Sequence, residues 1–274
     1  MAKKKSAKKT KKKSSKKTRI RTTRQGTTKK KTGKHATARR RRARAAATQW
    51  SGFDTGSYPG DAAINTWASK SPYSFVGFYF DAPCHTTGTF RTWKGKYPRL
   101  KASGLGLAII YVGLQQGGCG QAKLSRAKGI EHGQDTVTKF TAEGFPNGAI
   151  VFLDVEHYSG SLSAPMEDYI RGWISAILDS GQIKAGIYCP TSKANEIRAA
   201  AAKEYAAHAR PGGSPVFWAV KVDPRFDPAV STPKGSGVSY ASVWQGRLDI
   251  NETHGGVTIK IDQNVADSRS PSNA

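Results

Sequence analysis

Two carboxylic acids stand one residue apart at the end of a short apolar run, Gly148-Ala149-Ile150-Val151-Phe152-Leu153-Asp154-Val155-Glu156. Glycosidic bond cleavage needs such a set: an acid to protonate the leaving oxygen, and a second group to manage the oxocarbenium-like centre. The run is too short for a helix and follows a Pro146-Asn147-Gly148 turn, so it reads as a buried strand. Side chains alternate across a strand. Asp154 and Glu156 therefore share a face, with ~6.6 Å between them along the backbone. That spacing lies near the inverting range, but rotamers set the true carboxyl separation. Two acids on one face of a buried strand are costly unless paired, hydrogen-bonded or used in chemistry.

The elements around this strand must position it. Trp50–Asp54 reads as a first short strand ending in an acid, and Asp61 heads an amphipathic helix. Strands follow at Phe75–Asp81 and, after a loop, at Gly106–Gln115. A helix is expected over Ile130–Glu143, and another over Ala164–Ser180 with a stripe of Met166, Ile170, Trp173, Ile174, Ile177 and Leu178. Strand five is Ala185–Cys189, followed by an Ala-rich helix to about Ala209. Three more strands are expected at Val216–Val222, Ser242–Gln245 and Thr258–Asp262, with Pro-, Gly- and Ser-rich links. Alternating β and α elements predict a parallel sheet with right-handed crossovers. Eight such strands predict an α/β fold: a modified TIM-type (β/α) barrel with helices mostly after strands one to five. An open doubly wound sheet is the alternative, but no glycine-rich phosphate loop follows the first strand.

In such a barrel the strand C-termini collect the site. They supply Asp54, Asp81, Gln115, Asp154, Glu156, Tyr188, Lys221 or Asp223, Trp244 with Gln245, and Asp262 with Asn264, and Trp218 lies on strand six. Carboxylates and amides suit a hydroxyl-rich ligand, and the aromatic faces suit sugar rings. Glu156 and Asp154 are the candidate catalytic residues, and Asp54 is a candidate site residue at the end of strand one. Asp81, Gln115, Tyr188, Trp218, Trp244, Gln245 and Asp262 are the candidate substrate-binding residues. His157 and Tyr158 are placed at the pocket rim. The six histidines and three cysteines show no metal-ligand spacing, so neither a metal nor a cofactor is expected. Cys84, Cys119 and Cys189 are an odd number and are not expected to form a disulfide framework. Cys84, beside His85, reads as a buried or inert thiol.

Charge divides the chain. The net +25 is nearly all carried by residues 1–47, which hold 22 Lys or Arg and no acid; the remainder has 22 basic and 19 acidic residues. This segment is expected to be a disordered basic tail that attaches to a polyanion, either nucleic acid or an anionic envelope polymer. Residues 48–267 form the expected barrel domain, and 268–274 a short C-terminal tail. No apolar run reaches the ~18 residues a transmembrane helix needs. The N-terminus lacks the apolar stretch of a conventional signal peptide.

The series GFDTGSYPGDAAINTW, IIYVGLQ, HGQD, PNGAIVFLDVEHY and GIYCP, in this order over about residues 49–266, resembles one family. It is the bacterial glycoside-hydrolase-like domain first catalogued as a domain of unknown function. Phe53-Asp54, Asp154-Val155-Glu156, Trp244-Gln245 and Asp262-Gln263-Asn264 are more distantly similar to the family 25 glycoside hydrolases, the muramidase-type lysozymes. The resemblance implies a barrel with few helices on its second half, and a cell-wall or N-acetylated polysaccharide as substrate. It implies Glu156 as general acid; that work at neutral pH needs a raised pKa, which desolvation at a buried strand end and the like charge of Asp154 would supply. It implies that Asp154 orients a substrate N-acetyl group acting as internal nucleophile, and that Asp54 supports the site. It also implies an envelope or secreted location, whereas the basic tail is compatible with the nucleoid. The alternative function is a catalytically inactive glycan-binding barrel tethered to a polyanion by its tail.

Overall fold

Strands one to seven run in one direction and the eighth is reversed. In the computed structural model, which describes residues 49–86, 88–156 and 160–274, they close a barrel in the order β1 to β8. These are β1 Trp50–Asp54, β2 Phe75–Tyr79, β3 Gly106–Val112, β4 Ile150–Asp154, β5 Lys184–Pro190, β6 Val216–Val220, β7 Ala241–His254 and β8 Val257–Ala266. The tail expected over residues 1–47 lies outside the described residues.

Helices follow each of the first five strands: α1 Asp61–Lys70, α2 Tyr97–Ser103, α3 Arg126–Glu143, α4 Ala164–Ser180 and α5 Ala194–Ala207. After β6 there is only a 3₁₀ turn, Pro233–Ser236. The expected depletion of helices on the second half is therefore present. α2 falls in the stretch read as a loop. α3 begins at Arg126 rather than near Ile130, because the Ser125 hydroxyl accepts the Lys128 N–H and caps the helix there. HGQD thus lies inside α3.

The expectation of an all-parallel sheet is corrected at β8, which is antiparallel to both β7 and β1. β7 and β8 form a hairpin across Gly255-Gly256, whose φ angles of 56° and 80° only glycine adopts freely. Both strands are longer than the short runs expected. Bulges break their register near Arg247 and Ile250.

Alternation builds two apolar layers. Phe75, Ile110, Phe152, Trp218 and Val243 fill the barrel. Phe53, Phe78, Leu153, Ile187 and Phe217 pack outward from the strands, and Trp67 of α1 and Trp173 of α4 join the same layer from the helices. The α4 stripe is buried as expected. The segment after β8, expected as a short tail, docks beside β3 and β4. The Ser272 hydroxyl accepts the Ile109 N–H at 2.8 Å, and its carbonyl accepts the Ile150 N–H at 2.8 Å.

Cys84 and Cys119 form a disulfide, with Cα atoms 5.9 Å apart. This corrects the reading of Cys84 as an inert thiol. The partners are 35 residues apart and carry no spacing signal; they meet because the loops after β2 and β3 are neighbours across a parallel pair. Cys189 is free and buried. Denatured, unreduced protein is expected to titrate one thiol per chain with Ellman's reagent, and three after reduction. Reduction is expected to lower stability by about 3–4 kcal/mol, read as a lower Tm. Three thiols before reduction would refute the bridge.

Candidate active site

A layer of hydrogen-bonded side chains crosses the barrel at the C-terminal end of its parallel strands, centred on Asp54. Asp54 ends β1 and is 2% exposed. The Tyr79 hydroxyl donates to its Oδ1 at 2.6 Å. Gln245 Nε2 and Asn264 Nδ2 donate to its Oδ2 at 2.9 and 2.7 Å. Gln245 Nε2 also reaches Asp262 Oδ2 at 3.1 Å, and Gln245 Oε1 accepts the Tyr188 hydroxyl at 2.5 Å. Trp218 Nε1 donates to Asn264 Oδ1 at 3.0 Å, which fixes the amide orientation that serves Asp54. Space for Asp54 comes from β2. A Cβ on Gly77 would lie 2.5 Å from the Asp54 Cβ.

Asp154 ends β4 and is 5% exposed, and its Oδ1 is buried without a hydrogen-bond partner among the described residues. Glu156 lies just past the strand and is half-buried, with Oε2 3.5 Å from the Tyr188 hydroxyl.

Burial pushes the Asp54 carboxyl up to about 7, and the charge of Asp262 adds to it against the three donors. Asp262 is raised to about 6, first by burial, while the Asp249 N–H at 2.6 Å opposes this. Asp249 sits at a bulge with φ 56°, which aims its N–H. Burial, then the charges of Glu156 and Asp54, hold Asp154 well above the usual carboxylate range. At neutral pH the layer therefore retains protons. Burial likewise drives the Tyr79 and Tyr188 hydroxyls far up, so both stay protonated donors.

Of the residues expected at the site, the structure brings together Asp54, Asp154, Glu156, Tyr188, Gln245 and Asp262. Trp218 lies beneath them, fully buried and edge-on to Tyr188 at 5.1 Å. Gln115 is buried nearby, with its carboxamide against main chain. Two residues are not brought in. Trp244 faces outward, packs on Phe226 and donates to the Lys221 carbonyl. Its neighbour Gln245 faces inward, and adjacent strand residues point to opposite faces. Asp81 lies beyond the end of β2, accepts Thr92 Oγ1 at 2.9 Å and lines an outer cavity of about 490 Å³ with His85, Tyr111 and residues of α3. His157 and Tyr158 lie outside the described residues.

Tyr79 was not singled out as a site residue. Its signal was parity, since it shares the inward face of β2 with Phe75 and Gly77. Among the described residues, no three His, Cys, Asp or Glu side chains gather as a metal site.

Acids, amides and tyrosine hydroxyls from six strands thus converge on one end of the barrel. The profile of the Rv2525c-like, glycoside hydrolase-like domain matches residues 65–266, and the chain belongs to that family. Among solved structures it is similar in fold to an uncharacterized protein of B. stearothermophilus, at 18% identity and a TM-score of 0.57 over 82% of this chain and 99% of that one. It is similar to the spore cortex lytic enzyme SleM of Clostridium perfringens, at 14% identity and 0.52 over 80% and 68%. The modular autolysin LytC of Streptococcus pneumoniae gives 10% identity and 0.53 over 79% of this chain but only 46% of LytC, and it has also been solved with a synthetic peptidoglycan ligand. No curated protein matches the chain.

The raised carboxyls carry a stability consequence. A carboxyl that holds its proton more tightly folded than unfolded stabilises the fold below its unfolded pKa, and that contribution is lost as pH rises through the folded value. For Asp54 the window runs from 3.8 to about 7. Thermal stability is expected to fall between pH 4.5 and 8, and to fall less in Asp54→Asn. Equal slopes in calorimetric melts of the two proteins would contradict the assignment.

Proposed function

We propose that the barrel is a glycoside hydrolase acting on a cell-wall or other N-acetylated polysaccharide. The observation that carries this reading is the Asp154–Glu156 pair beside the Tyr188–Gln245–Asp54 layer, with one buried Asp154 oxygen unpartnered among the described residues. Family membership and the lytic proteins that share the fold support it.

In this reading Glu156 is the general acid. It gives its proton to the glycosidic oxygen as the C1–O bond breaks. The substrate's own acetamido oxygen attacks C1 and forms a cyclic oxazolinium ion, so no close-set protein nucleophile is needed. The acetamido N–H donates to Asp154 Oδ1, which turns the acetyl oxygen toward C1. Water then opens the ring, giving its proton to Glu156 and restoring the acid. Asp54 and Asp262 hold Gln245, and through it the Tyr188 hydroxyl beside Glu156.

The 22 Lys or Arg of residues 1–47, with no acid among them, bind an anionic polymer and hold the barrel near it. The Cys84–Cys119 disulfide fits an oxidising compartment, which favours an envelope polymer over nucleic acid.

Purified protein is expected to release reducing sugar from peptidoglycan, and Glu156→Gln to reduce the rate by at least about 100-fold. Absence of release by the unaltered protein, with retained sedimentation on wall material, would leave a glycan-binding barrel instead. Deleting residues 1–47 is expected to abolish binding to teichoic-type polymer, and the intact chain's binding is expected to weaken steeply from 50 to 200 mM salt. Salt-independent binding would refute the electrostatic tether.

A further inference from the structure

We propose that Gln115 is a positioning residue that sets the separation of Asp154 and Glu156, an inference that rests on the reading of that pair as the hydrolytic site. β3 and β4 pair in parallel only as far as Val112 and Asp154. Glu156 lies beyond the strand, where the backbone ladder has ended. The buried Gln115 carboxamide extends the ladder. Its Nε2 donates to the Asp154 carbonyl at 2.9 Å, and to the Gly113 carbonyl at 3.2 Å. Its Oε1 accepts the Glu156 N–H at 3.0 Å. A side-chain amide thus presents the donor and acceptor of a neighbouring peptide, and spans Val155.

The opposite edge is held as well. The Val155 N–H donates to the Tyr188 carbonyl at 2.9 Å. Asp154-Val155-Glu156 is therefore gripped from both sides. The grip is mounted on a closed loop: the Gln115 N–H donates to the Cys119 carbonyl at 2.9 Å, and Cys119 is joined to Cys84. The next residue offers a comparison. Gln116 uses the same chemistry on the approach to α4, donating to the Ser161 carbonyl at 3.1 Å and accepting the Ser163 N–H at 2.9 Å.

The test uses the full chain and two variants. Gln115→Ala removes the bonds to the Gly113 and Asp154 carbonyls and to the Glu156 N–H. Gln115→Glu keeps the shape and the acceptor for Glu156, loses both donors and adds a charge. With soluble peptidoglycan fragments, kcat is expected to fall about 100-fold in both, with KM within about twofold, because a misplacement of about 1 Å is enough for that loss. Gln116→Ala is expected to leave kcat within about twofold.

Carbon-13 titration of the Asp154 carboxyl supplies a readout independent of activity. Asp154 is raised partly by the charge of Glu156. Its midpoint is expected to move down in Gln115→Ala, as the acids separate, and up in Gln115→Glu, as a third charge arrives. A role confined to folding would not move the two variants in opposite directions. Wild-type kcat and an unmoved Asp154 midpoint in a folded Gln115 variant would overturn the proposal. Should Gln115→Ala fail to fold, Gln115→Asn, which keeps the amide but withdraws it by one methylene, takes its place with the same downward shift expected. If the unaltered protein cleaves nothing, the hydrolytic reading fails by itself and the titration alone judges the clamp.

Discussion

The structure depends on keeping one carboxyl, Asp54, inside the barrel. An isolated buried carboxylate is prohibitively costly, so such a group is paired, hydrogen-bonded or neutralised. Both hydrogen bonding and neutralisation operate here. Three donors from β2, β7 and β8 converge on its two oxygens, while its pKa rises to about 7. Each amide donor is satisfied at its other end, Asn264 by Trp218 and Gln245 by Tyr188. The network is thus closed across β1, β2, β5, β6, β7 and β8. A buried polar network that is fully met specifies one arrangement, whereas a broken one leaves several groups stranded together.

The reversed eighth strand makes this network possible. In its antiparallel register Asp54 lies opposite Asp262, and Gly52 lies opposite Asn264. Two residues apart on one strand, Asp262 and Asn264 share a face and flank Asp54. The bulges in β7 serve the same end. They interrupt the pairing beyond Gln245 and turn the Asp249 N–H onto Asp262. The last hairpin thus contributes two donors and an acid to the mouth.

Much of this was legible in the sequence because burial writes a period. The apolar runs of β1 to β6 and the stripe of α4 fall where alternation and the helical repeat put them. The acid pair was found because acids at the end of an apolar run stand out. Other features were read wrongly or missed, for separate physical reasons. Trp244 and Gln245 both stand at a strand end in the sequence, yet alternation sends one outward and one inward. Asp81 was counted as a strand end, yet β2 stops at Tyr79. Asp262 reached the site by another route than expected, from the middle of a reversed strand rather than the end of a parallel one. Gly255-Gly256 between two β-rich runs was a hairpin signal that outweighed the βα alternation. The disulfide depended on the meeting of two loops, which nothing local encodes.

The two acids of the pair differ less by position than by surroundings. Asp154 sits at the last ladder position of β4, almost wholly enclosed, where burial and neighbouring charge favour the protonated form. Glu156 lies two residues further on, past the end of the ladder, and is half-buried, within reach of the Tyr188 hydroxyl. Divided environments are how adjacent carboxyls acquire separate tasks. An enclosed oxygen suits orienting a ligand group that stays put. A partly open carboxyl suits exchanging protons with a leaving group and then with water. The strand end draws that division, because Asp154 is the last ladder residue of β4 and Glu156 lies past it.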